Sequence, residues 1–110
     1  MEIKLEEQQG VLIATPQVDR LDVRTVPEFR DEMDRIIGSY TKVVLNMELI
    51  NFVDSTGLGA LMSCIRNLSQ RNGGLRLVGL QQQVTAMFRL VRMHKIFDTF
   101  DTVSEALAGW

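Results

Sequence analysis

Asn51-Phe52-Val53-Asp54-Ser55-Thr56-Gly57-Leu58-Gly59 joins two segments of different character. Ahead of it runs Val43-Val44-Leu45, apolar without a break, as a strand buried on both faces requires. Behind it, Leu58, Leu61, Met62, Ile65 and Leu68 recur at the spacing of one helix face, with Cys64 on the flank. An acid, two hydroxyls and two glycines therefore occupy the handover from strand to helix. The first turn of a helix leaves N–H groups without partners, and Ser55 is placed to cap one of them. The same N–H groups and the helix dipole would also favour a phosphate on that hydroxyl. Cap and phosphorylation switch are both open on residue types alone.

Outward from this stretch, periodicities alternate. Ile3 and Leu5 interleave with Glu2, Lys4 and Glu6, which predicts an edge strand with one wet face. Gly10 turns the chain into Val11 to Ala14, a second strand buried on both faces, and Pro16 ends it. Asp22 or Thr25 is positioned to cap a helix that tolerates Pro27 in its first turn and buries Val26, Phe29, Met33, Ile36 and Ile37, up to Gly38. The second helix is expected over Ser55 to Arg71, its outer strip being Gly59, Ser63, Arg66 and Gln70. Asn72-Gly73-Gly74 breaks it and delivers the strand Leu75 to Val78. Val84, Met87, Phe88 and Val91 mark a third helix, Ile96 to Phe100 a short strand, and Thr102 to Ala108 a terminal helix. Strands alternating with helices imply an α/β domain with a mostly parallel sheet.

Composition narrows the function. Apolar residues make up 45% and charged residues 24% of 110 residues, enough for one domain, 1–110, with a core of its own. The longest apolar run, Val11 to Ala14, is far below the roughly 20 residues a membrane-spanning helix needs, so no direct membrane insertion is expected. The acidic, alternating N-terminus is unlike a signal peptide, which points to a cytoplasmic protein. One cysteine and one histidine supply neither a disulfide nor a metal cluster. A net charge of −2 gives no reason to expect a nucleic-acid partner.

In an open parallel sheet, the loops after successive strands emerge at one edge. Asp19 follows the strand ending at Ala14, and Asp54-Ser55 follows Val43 to Leu45, so neighbouring strands would gather Asp19, Asp54 and the Ser55 hydroxyl. The plainer roles are an Asx-turn for Asp19 and part of the cap for Asp54. Gly57 and Gly59 each cost a helix roughly 1 kcal/mol relative to Ala. Gly57 lies on the side toward the sheet, where the missing side chain permits close packing. Gly59 lies on the outer strip, where a partner backbone can approach.

Asp-Ser-Thr-Gly-Leu-Gly after a Val-Val-Leu strand resembles the signature of the STAS domain, in the branch of bacterial anti-sigma-factor antagonists. The resemblance extends from residue 2 to 108. Pro16-Gln17-Val18-Asp19 falls where that family has a Gly-x-hydrophobic-Asp turn, with Pro16 in place of the glycine. Gly73 to Leu80 resembles its Gly-Gly strand, and Val84 to Phe97 its third helix and last strand. The resemblance implies about five strands with about four helices mainly on one side. It further implies that Ser55 accepts phosphate, supported by Asp19, Asp54, Thr56 and Gly57, while Gly59, Ser63 and Arg66 meet a partner. That partner would be an anti-sigma-factor serine kinase that uses ATP, with a PP2C-like phosphatase reversing the modification. The protein itself would be no enzyme and need no cofactor. An alternative is a structural STAS subunit of a membrane transporter or lipid-export complex, docking without phosphorylation. A phosphohydrolase with Asp54 as nucleophile is a third reading, which lacks a convincing base and a second acid other than Asp19.

Overall fold

The computed structural model describes all 110 residues, Met1–Trp110. The edge strand β1 (Ile3–Gln8) turns at Gln9 and Gly10, both at positive φ (56° and 79°), into β2 (Val11–Pro16). Such a two-residue turn matches the twist of an antiparallel pair, and β1 and β2 pair that way from Ile3↔Pro16 to Gln8↔Val11. From there the sheet is parallel: β2 beside β4 (Lys42–Asn46), then β6 (Gly74–Val78) and β7 (Asp98–Phe100), in the order β1-β2-β4-β6-β7.

Side-chain alternation along these strands divides the interior in two. Leu12, Ala14, Val43, Leu45, Leu75 and Leu77 share the main core with α1 (Val26–Ile36), α2 (Ser55–Gln70) and α3 (Gln82–Leu90). Val11, Ile13, Val44 and Val78 form a smaller core with Ala106 and Leu107 of α4 (Val103–Leu107). Three helices therefore cover one face and a single short one the other. The expected α/β architecture holds. The terminal helix is capped by Thr102, whose hydroxyl accepts the Glu105 N–H at 3.1 Å.

Sequence reading did not anticipate a separate parallel ribbon of β3 (Arg20–Leu21) and β5 (Phe52–Val53), paired Arg20↔Phe52 and Leu21↔Val53. It forms where the loops after β2 and β4 leave the sheet, and it buries Leu21 and Val53 against the helices. The last strand is also shorter than the expected Ile96 to Phe100. A 3-10 turn at Met93–Lys95, entered through Arg92 at φ 62°, leaves Ile96 exposed outside it.

Candidate functional site

The start of α2 is organised by Asp54. Its backbone is extended (φ −96°, ψ −175°), its carbonyl accepts the Leu58 N–H at 3.0 Å, and its Oδ1 accepts the Gly57 N–H at 2.8 Å. Asp54 is thus the cap. Its other oxygen, Oδ2, accepts the Val23 N–H at 3.1 Å, tying the helix to the turn that leads into α1. Ser55, expected as a possible cap, is instead the first helical residue. It is exposed, and its hydroxyl takes part in none of the hydrogen bonds of the chain. With the Gly57 and Leu58 donors engaged, the free donors of the first turn are the N–H groups of Ser55 and Thr56. Thr56 is half-buried.

Gly57 has the role expected of it. A Cβ there would stand 2.4 Å from the Leu21 carbonyl oxygen and 2.9 Å from Cγ1 of Val53, so any side chain would push α2 off the ribbon. The ribbon also fixes the depth of the cap, because the Asp54 N–H donates to that same Leu21 oxygen at 3.1 Å.

The acids are arranged differently from expectation. Asp19 is exposed, and its backbone carbonyl accepts the Asn51 N–H at 2.8 Å. It therefore sits beside the start of β5, while Asp54 follows its end, about three residues or roughly 10 Å of strand away. Continuing the ribbon register brings Asp22 alongside Asp54 instead. Nor does Asp19 form the Asx-turn. That turn belongs to Asp22, whose Oδ1 accepts the N–H groups of Arg24 at 3.0 Å and Thr25 at 3.2 Å. The Thr25 hydroxyl accepts the Asp22 N–H at 3.0 Å in return, and Arg20 pairs with Oδ2 at 3.3 Å. Desolvation raises the Asp22 pKa, since the residue is only 6% exposed, but these N–H bonds and Arg20 outweigh it and hold the carboxyl below its ordinary 3.8.

The outer strip of α2 also differs. Gly59 and Ser63 face the flank of α1 and are half-buried, whereas Arg66 is exposed as expected. Nη1 of Arg30 donates to the Ser63 hydroxyl at 3.0 Å, and Ser63 donates to the Gly59 carbonyl at 3.0 Å. The buried stripe is correspondingly rotated. Gly57, Ala60 and Cys64 join Leu58, Leu61 and Leu68 in it, while Met62 and Ile65 are only half-buried. Sequence reading missed the contact of Arg30 with α2 and an apolar surface at Val23 (66% exposed) and Phe52 (46%) close to the cap. Arg20 stacks over the Phe52 ring at 5.4 Å from its centroid. The strand period of Arg20, Asp22, Phe52 and Asp54 was the available signal, but two-residue strands are too short to display it.

No three His, Cys, Asp or Glu side chains converge as a metal site, and no helix is long and apolar enough to cross a membrane. The STAS domain family matches residues 2–106. The chain belongs to the STAS domain family. This STAS domain is 27% identical over 109 residues to the anti-sigma F factor antagonist of Paenibacillus polymyxa, covering 97% of this chain and 92% of that one. It is 30% identical over 71 residues to the anti-sigma-B factor antagonist of Staphylococcus aureus, covering 64% of this chain and 66% of the relative, just under two thirds. In structure it resembles unphosphorylated SpoIIAA, an anti-sigma factor antagonist, with a TM-score of 0.76 at 23% identity over 96% of this chain and 93% of that one. The phosphorylated form of SpoIIAA from Bacillus matches with a TM-score of 0.68 at 22% identity over 96% of each chain. Both sequence relatives and unphosphorylated SpoIIAA are called anti-sigma factor antagonists.

Proposed function

We propose that this STAS domain is a phosphorylation-switched anti-sigma-factor antagonist that acts in the cytoplasm. Unphosphorylated, it captures an anti-sigma-factor serine kinase through the surface around the first turns of α2, including Gly59, Ser63 and Arg66. The observation that carries this reading is the Ser55 hydroxyl, exposed and unbonded at the first position of a helix whose cap is supplied by its neighbour Asp54. A hydroxyl with no structural duty is free to be modified. The kinase transfers the γ-phosphoryl group of ATP to Ser55 Oγ: the new P–O bond replaces the bond to ADP, and the hydroxyl proton passes to a base of the kinase. A PP2C-like phosphatase hydrolyses the ester and restores the hydroxyl.

The phosphate brings about −1.5 to −2 charge. The free N–H groups of the first turn and the helix dipole stabilise it, while Asp54 and Asp22 add to the negative potential. The fold has no need to move. At an interface the excess charge and lost close contact cost ~3–4 kcal/mol, two to three decades in affinity. Asp54 does not fit a nucleophile's role, because both of its oxygens already accept backbone N–H groups.

Intact-mass analysis after incubation with the cognate kinase and ATP tests the assignment. One added phosphate is expected, absent from Ser55→Ala. Phosphate that persists in Ser55→Ala, on Thr56, Ser63 or Ser69, would refute it.

A further inference from the structure

Arg30 is a cation without an acid. The ion pairs of this chain join the N-terminus to Glu28, Arg20 to Asp22 and Arg35 to Glu32; Arg30 belongs to none of them. Its guanidinium rests on α2 through one neutral partner, the Ser63 hydroxyl at 3.0 Å. Nη2 lies 3.8 Å from the point a Cβ of Gly59 would occupy. Ser55, Gly59 and Ser63 follow one another at intervals of four on α2, hence on one helix face, with successive positions about 5–6 Å apart. Gly59 puts no side chain on that face between Ser63 and Ser55, and the Arg30 guanidinium is the one group within 4 Å of the place its Cβ would take.

We propose that Arg30 is the internal counter-cation of a phosphate on Ser55, leaving the Ser63 hydroxyl for the phosphoryl oxygens. The proposal rests on the reading of Ser55 as the modified residue. A guanidinium presents paired donors that match two phosphoryl oxygens, and exchanging a neutral hydroxyl for a dianion favours the move. The reach required is about one helical turn, within the swing of an exposed arginine whose backbone stays in place. Phosphorylation then changes the partner-facing surface twice: a dianion appears at Ser55, and the cation beside Gly59 and Ser63 is drawn away.

The test does not depend on a kinase. Phosphoserine is installed at position 55 during translation, and the phosphate is titrated by 31P NMR in the otherwise wild-type protein and in Arg30→Gln, Arg30→Lys and Arg24→Gln. An adjacent guanidinium favours the dianion, so the second pKa of the phosphate should lie about half a unit to one unit lower in wild type than in Arg30→Gln. Arg30→Lys, which keeps the charge without the paired donors, should fall between them. Arg24→Gln, which removes an exposed charge from the turn held against Asp54 but leaves the Arg30 guanidinium in place, should shift the phosphate less than Arg30→Gln does. Superimposable titrations of wild type and Arg30→Gln would overturn the proposal, as would a larger shift from Arg24→Gln. Melting curves check that each variant is folded. Failure of the kinase to modify Ser55 would overturn the functional reading instead, and the two failures are separable.

Discussion

Asp54 Oδ2 accepts the Val23 backbone N–H at 3.1 Å across 31 residues of sequence. With Oδ1 on Gly57, one carboxylate closes the first turn of α2 and anchors the loop that starts α1. The residue beside the proposed phosphorylation site is thus the one that holds the site in shape, and Ser55 is spared that work.

The two neighbours should therefore separate in stability. Asp54→Ala removes a cap and a second charge-assisted bond and should cost about 2 kcal/mol or more. Ser55→Ala should stay within about 0.5 kcal/mol of wild type, as exposed substitutions do. Urea denaturation of both variants measures this. A loss at Ser55 as large as that at Asp54 would return the cap to the serine.

Gly57 and Gly59 should respond in opposite directions to alanine. At Gly57 the new methyl meets the Leu21 carbonyl oxygen at 2.4 Å, a backbone atom that cannot yield without moving the ribbon. Gly57→Ala should lose about 2 kcal/mol, within the range for an overpacked site. At Gly59 the nearest atom is Arg30 Nη2 at 3.8 Å, the end of a flexible side chain. Gly59→Ala should gain roughly 0.5–1 kcal/mol from helix propensity. Thermal melting compares the pair, and equal effects would contradict the packing described.

Acid should weaken the domain partly through Asp22. Its folded pKa lies below the ordinary 3.8, because the Arg24 and Thr25 N–H groups and Arg20 overcome the cost of burial. A group depressed in the folded state stabilises above its unfolded pKa and loses that contribution as pH falls through its folded pKa. Asp22→Asn should accordingly lie below wild type in stability at neutral pH, and the gap should close as the pH falls from about 4 through the lower folded pKa. Urea midpoints recorded from pH 6 to pH 2 give the comparison. A constant gap over that range would mean that the charge of Asp22 does not matter.

Cys64 should be silent in the native protein. Burial, with a smaller contribution from Asp34, pushes its thiol up to about 12, against a weaker opposing effect of Arg30. At pH 8 only about one thiol in ten thousand would then be the reactive thiolate. Labelling with a disulfide reagent should follow urea unfolding. Rapid labelling in native buffer would show that the α2 face carrying Cys64 opens to solvent.

Element order was legible in the residues because hydrophobic periodicity is a local property. Val11 to Ala14, Val43 to Leu45 and the stripes of α1 and α2 announce themselves within a few turns or pleats. The strand-to-helix junction at Asp54-Ser55 was equally plain. Which of the two residues caps the helix was settled by backbone geometry, since either type can do so. The face of α2 toward the sheet was misjudged by a fraction of a turn. Close approach to the ribbon selects Gly57, Ala60 and Cys64, small residues with a weak apolar signal, and leaves the larger Met62 and Ile65 half exposed. Two relationships existed only in three dimensions. The β3–β5 register set Asp22 rather than Asp19 beside Asp54, and the packing of α1 on α2 laid Arg30 over Gly59 and Ser63. Register and helix contact join residues some 30 positions apart, and no local periodicity encodes such distances.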